Sequence, residues 1–366
     1  MKEPIRILHF VPNLFSGGTE TFIMNMYRNI DRKRFQFDFV VHTKEKGVFE
    51  DEIKQLGGRV FYFSIKDDKN FFKYEKDLDS FFKKHQEYKI IHCAMPSIGY
   101  IHERIAKKNG IKVRIAHSHS ANHDKNLRGY LKGITSKKMK KYSTINLSCS
   151  KKAGDYLFGN ENYKIIHNAV YLDKYKFKSH TRKEIRNKLG INDKIVLGHV
   201  GRISKEKNHK FLIELMKIMP DNYVLLCIGT GPNEKKIRNI VHKQNLDDKV
   251  KFLGRKDNVG EYYSVFDILL LPSLYEGLPT VAIEAQISGL PCILSNKITS
   301  EVKIINNVKF LKLDIQLWKN EILNMKIKRI KVNVSDFDKY NIKKEVRELE
   351  KIYINSMVMY DDENIN

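Results

Sequence analysis

The sequence predicts an α/β protein built from two doubly wound parallel sheets. Three observations predict it: short, almost wholly apolar runs, amphipathic or charged helical segments between them, and a restart of that alternation after residue 192. A chain of 366 residues has room for two domains, and 42% hydrophobic with 11% aromatic residues suits packed cores. That content excludes a disordered chain, and only 20 Gly and 8 Pro exclude collagen-like or linker-dominated sequence.

Residues 5–11 open as a strand, because β-branched and aromatic side chains dominate and an amphipathic stretch, 19–30, follows a Gly-Gly turn. Residues 37–43, 60–63, 90–94, 113–117 and 144–149 share that apolar character and read as further strands. Between them, 49–56, 74–85 and 99–109 space their apolar residues as helices do. Strands that are apolar on both faces must be covered on both faces, so the first half is one domain. Residues 164–169 follow, and 170–192 then run polar and charged without strand character, which predicts a linker. Strands at 195–200, 223–229, 250–253, 268–272 and 291–295 predict a second domain of the same kind. Two such domains are expected to face each other, with ligands in the crevice at the carboxyl ends of the strands. Ile342, Val346, Leu349, Ile352 and Tyr353 recur at helical spacing, predicting a terminal helix over 341–357, with 361–366 frayed beyond it.

Lys and Arg total 67 against 43 Asp and Glu, a formal charge of +24 that attracts phosphates, nucleic acid or anionic lipid. Codon bias in an A/T-rich genome is the competing account of that excess. Cys93, Cys149, Cys227 and Cys292 lie apart in or beside apolar runs, as reduced core residues of a cytosolic protein do. No stretch approaches ~18 consecutive apolar residues, and Met1 leads into a strand rather than a signal peptide, so a soluble or peripheral protein is expected.

Gly17-Gly18 follows the first strand and opens a helix, where glycines let backbone N–H groups approach an anion or a sugar. A plain strand-to-helix turn is the alternative. Gly229-Thr230-Gly231 has the same ambiguity and lacks the third glycine of a dinucleotide motif. Arg202 and Lys207 fall in the loop after strand 195–200, where a planar fork and a point charge can together grip a diphosphate. Solvated loop cations would look the same. Glu276 precedes Gly277-Leu278-Pro279, and Glu284 lies eight residues further on in the following helix. Carboxylates accept hydrogen bonds from sugar hydroxyls, so Glu276 suits a hexose and the deeper Glu284 a ribose. A helix-start carboxylate and a solvated helix Glu are the bland alternative.

Gly17-Gly18, Arg202 with Lys207, and Glu276 with Glu284, in that order over residues 5–300, resemble the retaining GT-B glycosyltransferases of family 4. The stretches Arg114-Ile115-Ala116-His117-Ser118-His119, Val200-Gly201-Arg202 before Lys207-Asn208-His209, and Glu276-Gly277-Leu278-Pro279 with Glu284-Ala285-Gln286 are similar to its capsular and exopolysaccharide branch. The resemblance implies an N-terminal acceptor-binding domain over 1–170, to which a terminal helix over 341–358 crosses back, and a nucleotide-sugar-binding domain over 171–340. It implies a nucleotide-diphosphate sugar, expected to be a UDP-sugar, as donor. No cofactor and no divalent metal is implied. Catalytic roles would fall to His117, Arg202, Lys207 and Glu276, and donor contacts to Gly17, Gly18, His119, Gly277, Leu278 and Glu284.

In that family a histidine after the fifth strand contacts the donor sugar; register favours His117, with His119 second, and a strand-end core histidine is the alternative for each. His92, His167 and His209 read as structural, although His167-Asn168-Ala169-Val170 resembles the family's Asn-Gly-Val linker with Ala169 replacing glycine, which leaves the hinge conformation open. No carboxylate pair marks a double-displacement nucleophile, and the resemblance implies front-face substitution with retention. Asp336-Phe337-Asp338 has D-x-D spacing, but it lies in polar sequence past the second sheet and is not read as a metal site.

Residues 124–152 set nine Lys and Arg against Asp124, interleaved with Leu127, Tyr130, Leu131, Ile134 and Met139. An apolar and basic helix there suits an anionic membrane surface carrying a polyprenyl-diphosphate-linked glycan acceptor, and a solvated helix with one buried stripe is the alternative. The expected place of action is the cytoplasm, including the inner face of the plasma membrane. Two other functions compete: a nucleotide-sugar epimerase of the same fold, and a nucleic-acid-binding basic protein. The second lacks any helix-turn-helix, zinc-finger or RNP-like signature, so no specific nucleic acid is expected as a partner.

Overall fold

The computed structural model describes residues 3–15, 17–64, 70–119 and 135–362. They form two compact units, one of residues 1–169 with 342–366 and the other of residues 170–341.

Unit 1 runs β1 (Ile5–Val11), α1 (Gly18–Asn29), β2 (Phe35–Val41), α2 (Glu50–Gln55), β3 (Val60–Tyr62), α3 (Phe71–Lys84), β4 (Ile90–Cys93), α4 (Pro96–Lys108), β5 (Val113–Ser118), β6 (Ile145–Ser148), α5 (Lys151–Phe158) and β7 (Lys164–Ile165). Its seven strands lie in the order β3-β2-β1-β4-β5-β6-β7. Unit 2 runs α6 (Ser179–Leu189), β8 (Ile195–Val200), α7 (His209–Ile218), β9 (Tyr223–Ile228), α8 (Glu234–Lys243), β10 (Val250–Phe252), α9 (Val259–Val265), β11 (Ile268–Leu271), α10 (Thr280–Ile287), β12 (Cys292–Ser295), β13 (Val308–Leu311) and α11 (Ile315–Asn324). Its six strands lie in the order β10-β9-β8-β11-β12-β13. Neighbouring strands pair in parallel, and the order reverses beside β1 and β8, where doubly wound sheets open a crevice at their carboxyl ends.

Helix α12 (Ile342–Asp362) belongs to unit 1 although it follows unit 2 in the chain. Its Tyr353 is fully buried against Phe35 and Phe37 of β2. Two of its carboxylates accept from backbone N–H groups, Glu350 from Asp31 at 2.8 Å and Glu345 from His167 at 2.7 Å. All four cysteines are buried, and none forms a disulfide among the described residues.

Three expectations need correction. Residues 170–192 are no linker: Leu172–Tyr175 makes a 3-10 turn and α6 makes a helix of unit 2. Arg182 and Arg186 of α6 both donate to Asp267, and Arg182 also donates to the carbonyls of Ser264, Val265 and Phe266. An element held by ion pairs rather than by an apolar stripe gives no hydrophobic period to read. Strand β13 was not expected either, because Val308-Lys309-Phe310-Leu311 is short and interrupted by a cation. The basic stretch 124–152 is not one helix: Met139–Lys141 is a buried-Met 3-10 turn, β6 intervenes, and residues 124–134 lie outside the described residues. Ser16 and residues 363–366 of the expected frayed end lie outside them too.

Candidate active site

In unit 2 two strand-end loops, after β8 and after β11, are stitched together. The Lys207 ammonium donates to Glu276 Oε1 at 2.5 Å, and the Ser273 hydroxyl donates to the same oxygen at 2.7 Å. Backbone adds two links: Leu274 N–H to the Glu206 carbonyl at 2.8 Å, and Asn208 Nδ2 to the Pro272 carbonyl at 3.2 Å. Asn208 takes a left-handed conformation (φ 56°), which turns the chain into α7. Lys207 and Glu276 keep only 17% and 12% of their side chains exposed, so their attraction is screened less than that of a surface pair. With Oε1 twice occupied, Glu276 Oε2 has no protein partner among the described residues and can accept from a ligand hydroxyl. Arg202 stands exposed in the same loop; its carbonyl accepts from Ser204, while its guanidinium has no ion-pair or hydrogen-bond partner among the described residues.

Glycines hold the β8 loop in place. Gly229 sits at φ 130°, and a Cβ there would come within 2.1 Å of the Gly201 carbonyl oxygen; one on Gly231 would meet the Ile203 oxygen at 2.5 Å. Ile203 N–H donates to the Thr230 carbonyl, and Asn233 N–H donates to Ile203. The Gly229-Thr230-Gly231 pair therefore serves backbone packing beneath Arg202.

Glu284 lies on α10 in a different environment. It is 7% exposed, and the Tyr263 hydroxyl donates to its Oε2 at 2.6 Å. Burial pushes its carboxyl upward against the opposing pull of Tyr263, Thr280 and Tyr175. The two tyrosines were not foreseen, since nothing local in the sequence ties 175 or 263 to 284. Gly277 is partly exposed and Leu278 is buried at the entry to α10. Asp336 and Asp338 flank the fully buried Phe337 in a 3-10 segment, Val334–Tyr340.

Unit 1 carries a row of histidines across three adjacent strands: buried His9 on β1, His92 on β4 and His117 on β5, with part-buried His119 just past it. His92 joins two of its neighbours, with Nδ1 2.8 Å from the Tyr353 hydroxyl and Nε2 2.9 Å from His117 Nδ1. The Tyr353 hydroxyl has no other partner among the described residues, so every proton is placed when it donates to His92, His92 Nε2–H donates to His117, and His117 carries its own proton on Nε2. That Nε2 has no protein partner among the described residues. His117 and His119 stack with ring centroids 4.1 Å apart. Burial holds His92 at about 3 and His119 at about 4, and lowers His117 well below its ordinary value, so the row is neutral at pH 7. His92, expected to be merely structural, is the residue that orients His117.

Gly17 and Gly18 stand at the amino end of α1. Gly17 has an extended backbone (φ −92°, ψ 170°), but a Cβ there would come within 2.1 Å of the buried Glu20 carboxylate, whereas a Cβ on Gly18 would meet nothing within 4 Å. Gly18 is thus not required as glycine by the packing of the protein itself, while Gly17 makes room for Glu20. His209 packs on His199 with ring centroids 4.6 Å apart beside the Lys207 loop of unit 2, and His167 binds α12 through Glu345 within unit 1.

Residues 181–312 match the family model of "Glycosyl transferases group 1". The "Putative glycosyltransferase EpsF" of Bacillus subtilis (strain 168) is 32% identical over 310 residues, which cover 81% of this chain and 80% of that protein. The chain is a GT-B glycosyltransferase. It is also 22% identical, over 96% of its length and 99% of the relative's, to the capsular polysaccharide biosynthesis glycosyltransferase CapH of Staphylococcus aureus. The fold of this glycosyltransferase is that of Anabaena Alr3699/HepE, solved in complex with UDP-glucose, at a TM-score of 0.81 and 16% identity over 96% of this chain and 99% of that one. Its relatives thus include enzymes of capsular polysaccharide assembly.

Proposed function

We propose that the glycosyltransferase moves a hexose-type sugar, with retention, from a UDP-sugar held by unit 2 to a growing lipid-linked glycan of a capsule or exopolysaccharide, the acceptor being bound by unit 1. The single observation that carries this is the stitched pair of loops: an exposed, unpartnered Arg202, with Lys207 fixed on Glu276, at the carboxyl ends of the two central strands of unit 2. Two cations there match a leaving diphosphate, whose negative charge grows as the glycosidic bond breaks. Arg202 offers a bidentate fork and Lys207 a point charge. The free Oε2 of Glu276 accepts from a hexose hydroxyl, and Glu284 with Tyr263 and Tyr175 floors the ribose, beside Gly277 and Leu278. In unit 1, His117 donates through Nε2 to the sugar, with His119 beside it. Gly17 and Gly18 give a ligand close approach to the backbone, a role favoured at Gly18 by the open space where a Cβ would stand. The departing diphosphate takes the acceptor proton as the new bond forms on the same face.

Family membership favours transfer over epimerisation, and the complex of HepE with UDP-glucose supports a uridine nucleotide as donor carrier. The basic surface of 137–152, with Lys137, Lys138, Lys140 and Lys141 exposed around buried Met139, supports an acceptor at an anionic membrane in the cytoplasm. The test is steady-state kinetics with UDP-glucose and related donors on Arg202→Ala and Lys207→Ala. Turnover should fall by roughly a hundredfold or more, about 3–4 kcal/mol of lost transition-state stabilisation, and UDP inhibition should weaken in parallel. Parental turnover with normal UDP binding in both variants would dismiss the clamp.

A further inference from the structure

At the other end of the unit 2 sheet there is a groove of about 760 Å³, lined by Pro291, Asn307 and most of residues 324–331. Pro291 and Asn307 immediately precede β12 and β13, so the groove lies at the amino ends of the strands, whereas Arg202, Lys207 and Glu276 follow carboxyl ends. Its charged lining is wholly cationic: Lys309, Lys326, Lys328, Arg329 and Lys331. Lys309 is paired with Glu321 at 2.5 Å, while Lys326, Lys328 and Lys331 are exposed with no ion-pair partner among the described residues.

The segment is held in this exposed state. Arg329 points inward and donates to the carbonyls of Ser288 at 2.8 Å, Tyr263 at 2.6 Å and Phe266 at 2.7 Å. Ile330 N–H donates to the Gly289 carbonyl at 3.1 Å, and a Cβ on Gly289 would reach within 2.2 Å of the Ile330 oxygen. On this pinned backbone Ile327 and Ile330 remain 37% and 38% exposed, and Leu323 beside them 43%. Unpaired lysines alternate with exposed aliphatic side chains, the pattern that suits the boundary between anionic headgroups and acyl chains. Lysine stems add apolar contact there while their ammonium groups reach phosphate.

We propose that residues 323–331 dock unit 2 on an anionic phospholipid surface, with a lipid phosphate in the groove and Leu323, Ile327 and Ile330 in the headgroup–acyl boundary. Charge complementarity selects this occupant, since a groove without carboxylates repels a second copy of so basic a chain. Docking by the amino ends of the strands leaves their carboxyl ends facing water, from which a nucleotide sugar must arrive. The inference goes beyond the proposed function, which asks no membrane contact of unit 2.

Sedimentation of the full chain with vesicles tests it, using phosphatidylcholine alone and phosphatidylcholine mixed with phosphatidylglycerol. The parent should bind only the mixed vesicles at low salt. Lys326→Gln/Lys328→Gln/Lys331→Gln should bind them roughly a hundredfold more weakly, as loss of three surface cations implies. Ile327→Ser with Leu323→Ser, which leaves every charge in place, should weaken binding to the mixed vesicles about tenfold at the same low salt. Melting temperatures within a few degrees of the parent establish that the variants fold. Unchanged vesicle binding in both variants overturns the proposal. So does inorganic pyrophosphate that stabilises the parent through these lysines while vesicles fail to bind, because the groove then takes a soluble anion.

Discussion

Single residues here act through their neighbours. Glu276 is one carboxylate serving three groups: its Oε1 fixes Lys207 and Ser273, which leaves Oε2 alone open to a hydroxyl. His117 depends in the same way on Tyr353, two partners away along a hydrogen-bonded chain. Tyr353→Phe removes the proton donor that places the His92 proton on Nε2, so His117 loses its fixed tautomer. Nitrogen-15 NMR should then show mixed imidazole tautomers at His92 and His117, where the parent shows one at each. Stability should fall by only about 1 kcal/mol, as for one ordinary hydrogen bond. Turnover should fall while the KM for donor changes less, and an unaltered tautomer spectrum would show that Tyr353 merely packs.

Elements position these residues by backbone contact as much as by side chains. The β8 loop that carries Arg202 rests on Gly229 and Gly231, and there is no space for a side chain between the two loops. Gly229→Ala places a methyl against the Gly201 carbonyl at an angle that L residues rarely adopt. Urea denaturation should show a loss of about 1–3 kcal/mol or more. UDP affinity should drop with it, because the loop shifts. Gly18→Ala, where a Cβ meets nothing, should leave stability within about 0.5 kcal/mol of the parent or raise it, since alanine is the better helix former. Equal destabilisation by the two substitutions would contradict this division between a packing glycine and a free one.

Across the whole molecule the buried and part-buried histidines are unevenly shared. His9, His42, His92, His102, His117 and His119 of unit 1 all have lowered values, against His199 and His209 of unit 2. A histidine whose folded value lies below its unfolded one contributes stability that is complete above about pH 6.5 and is lost as pH falls towards 3–4. Each such group costs up to about 1.4 kcal/mol per pH unit in that window, because the unfolded chain binds the proton first. Glu103, buried with its value raised, acts in the opposite direction in the acid range but offsets only one group. Unit 1 should therefore open first on acidification. Hydrogen exchange at pH 5 should show protection lost in β1, β4 and β5 while β8, β9 and β11 keep theirs. Simultaneous loss in both units would show that they unfold as one.

The pattern of apolar runs was sufficient to place most strands of both sheets, because a strand buried on both faces writes its whole length in Val, Ile, Leu and Phe. Sequence by itself also singled out Arg202, Lys207, Glu276 and Glu284, since turn glycines and strand ends mark where side chains reach a ligand. It missed α6, whose anchors are Arg182 and Arg186 on an aspartate 81 residues beyond Arg186. It could not pair Lys207 with Glu276, foresee Tyr263 and Tyr175 on Glu284, or see that Tyr353 and His92 hold His117. Those contacts join residues tens to hundreds of positions apart, and a one-dimensional period reports only what repeats along the chain. Tertiary structure alone decided which charges neutralise one another and which, like the Arg202 guanidinium, have no protein partner among the described residues.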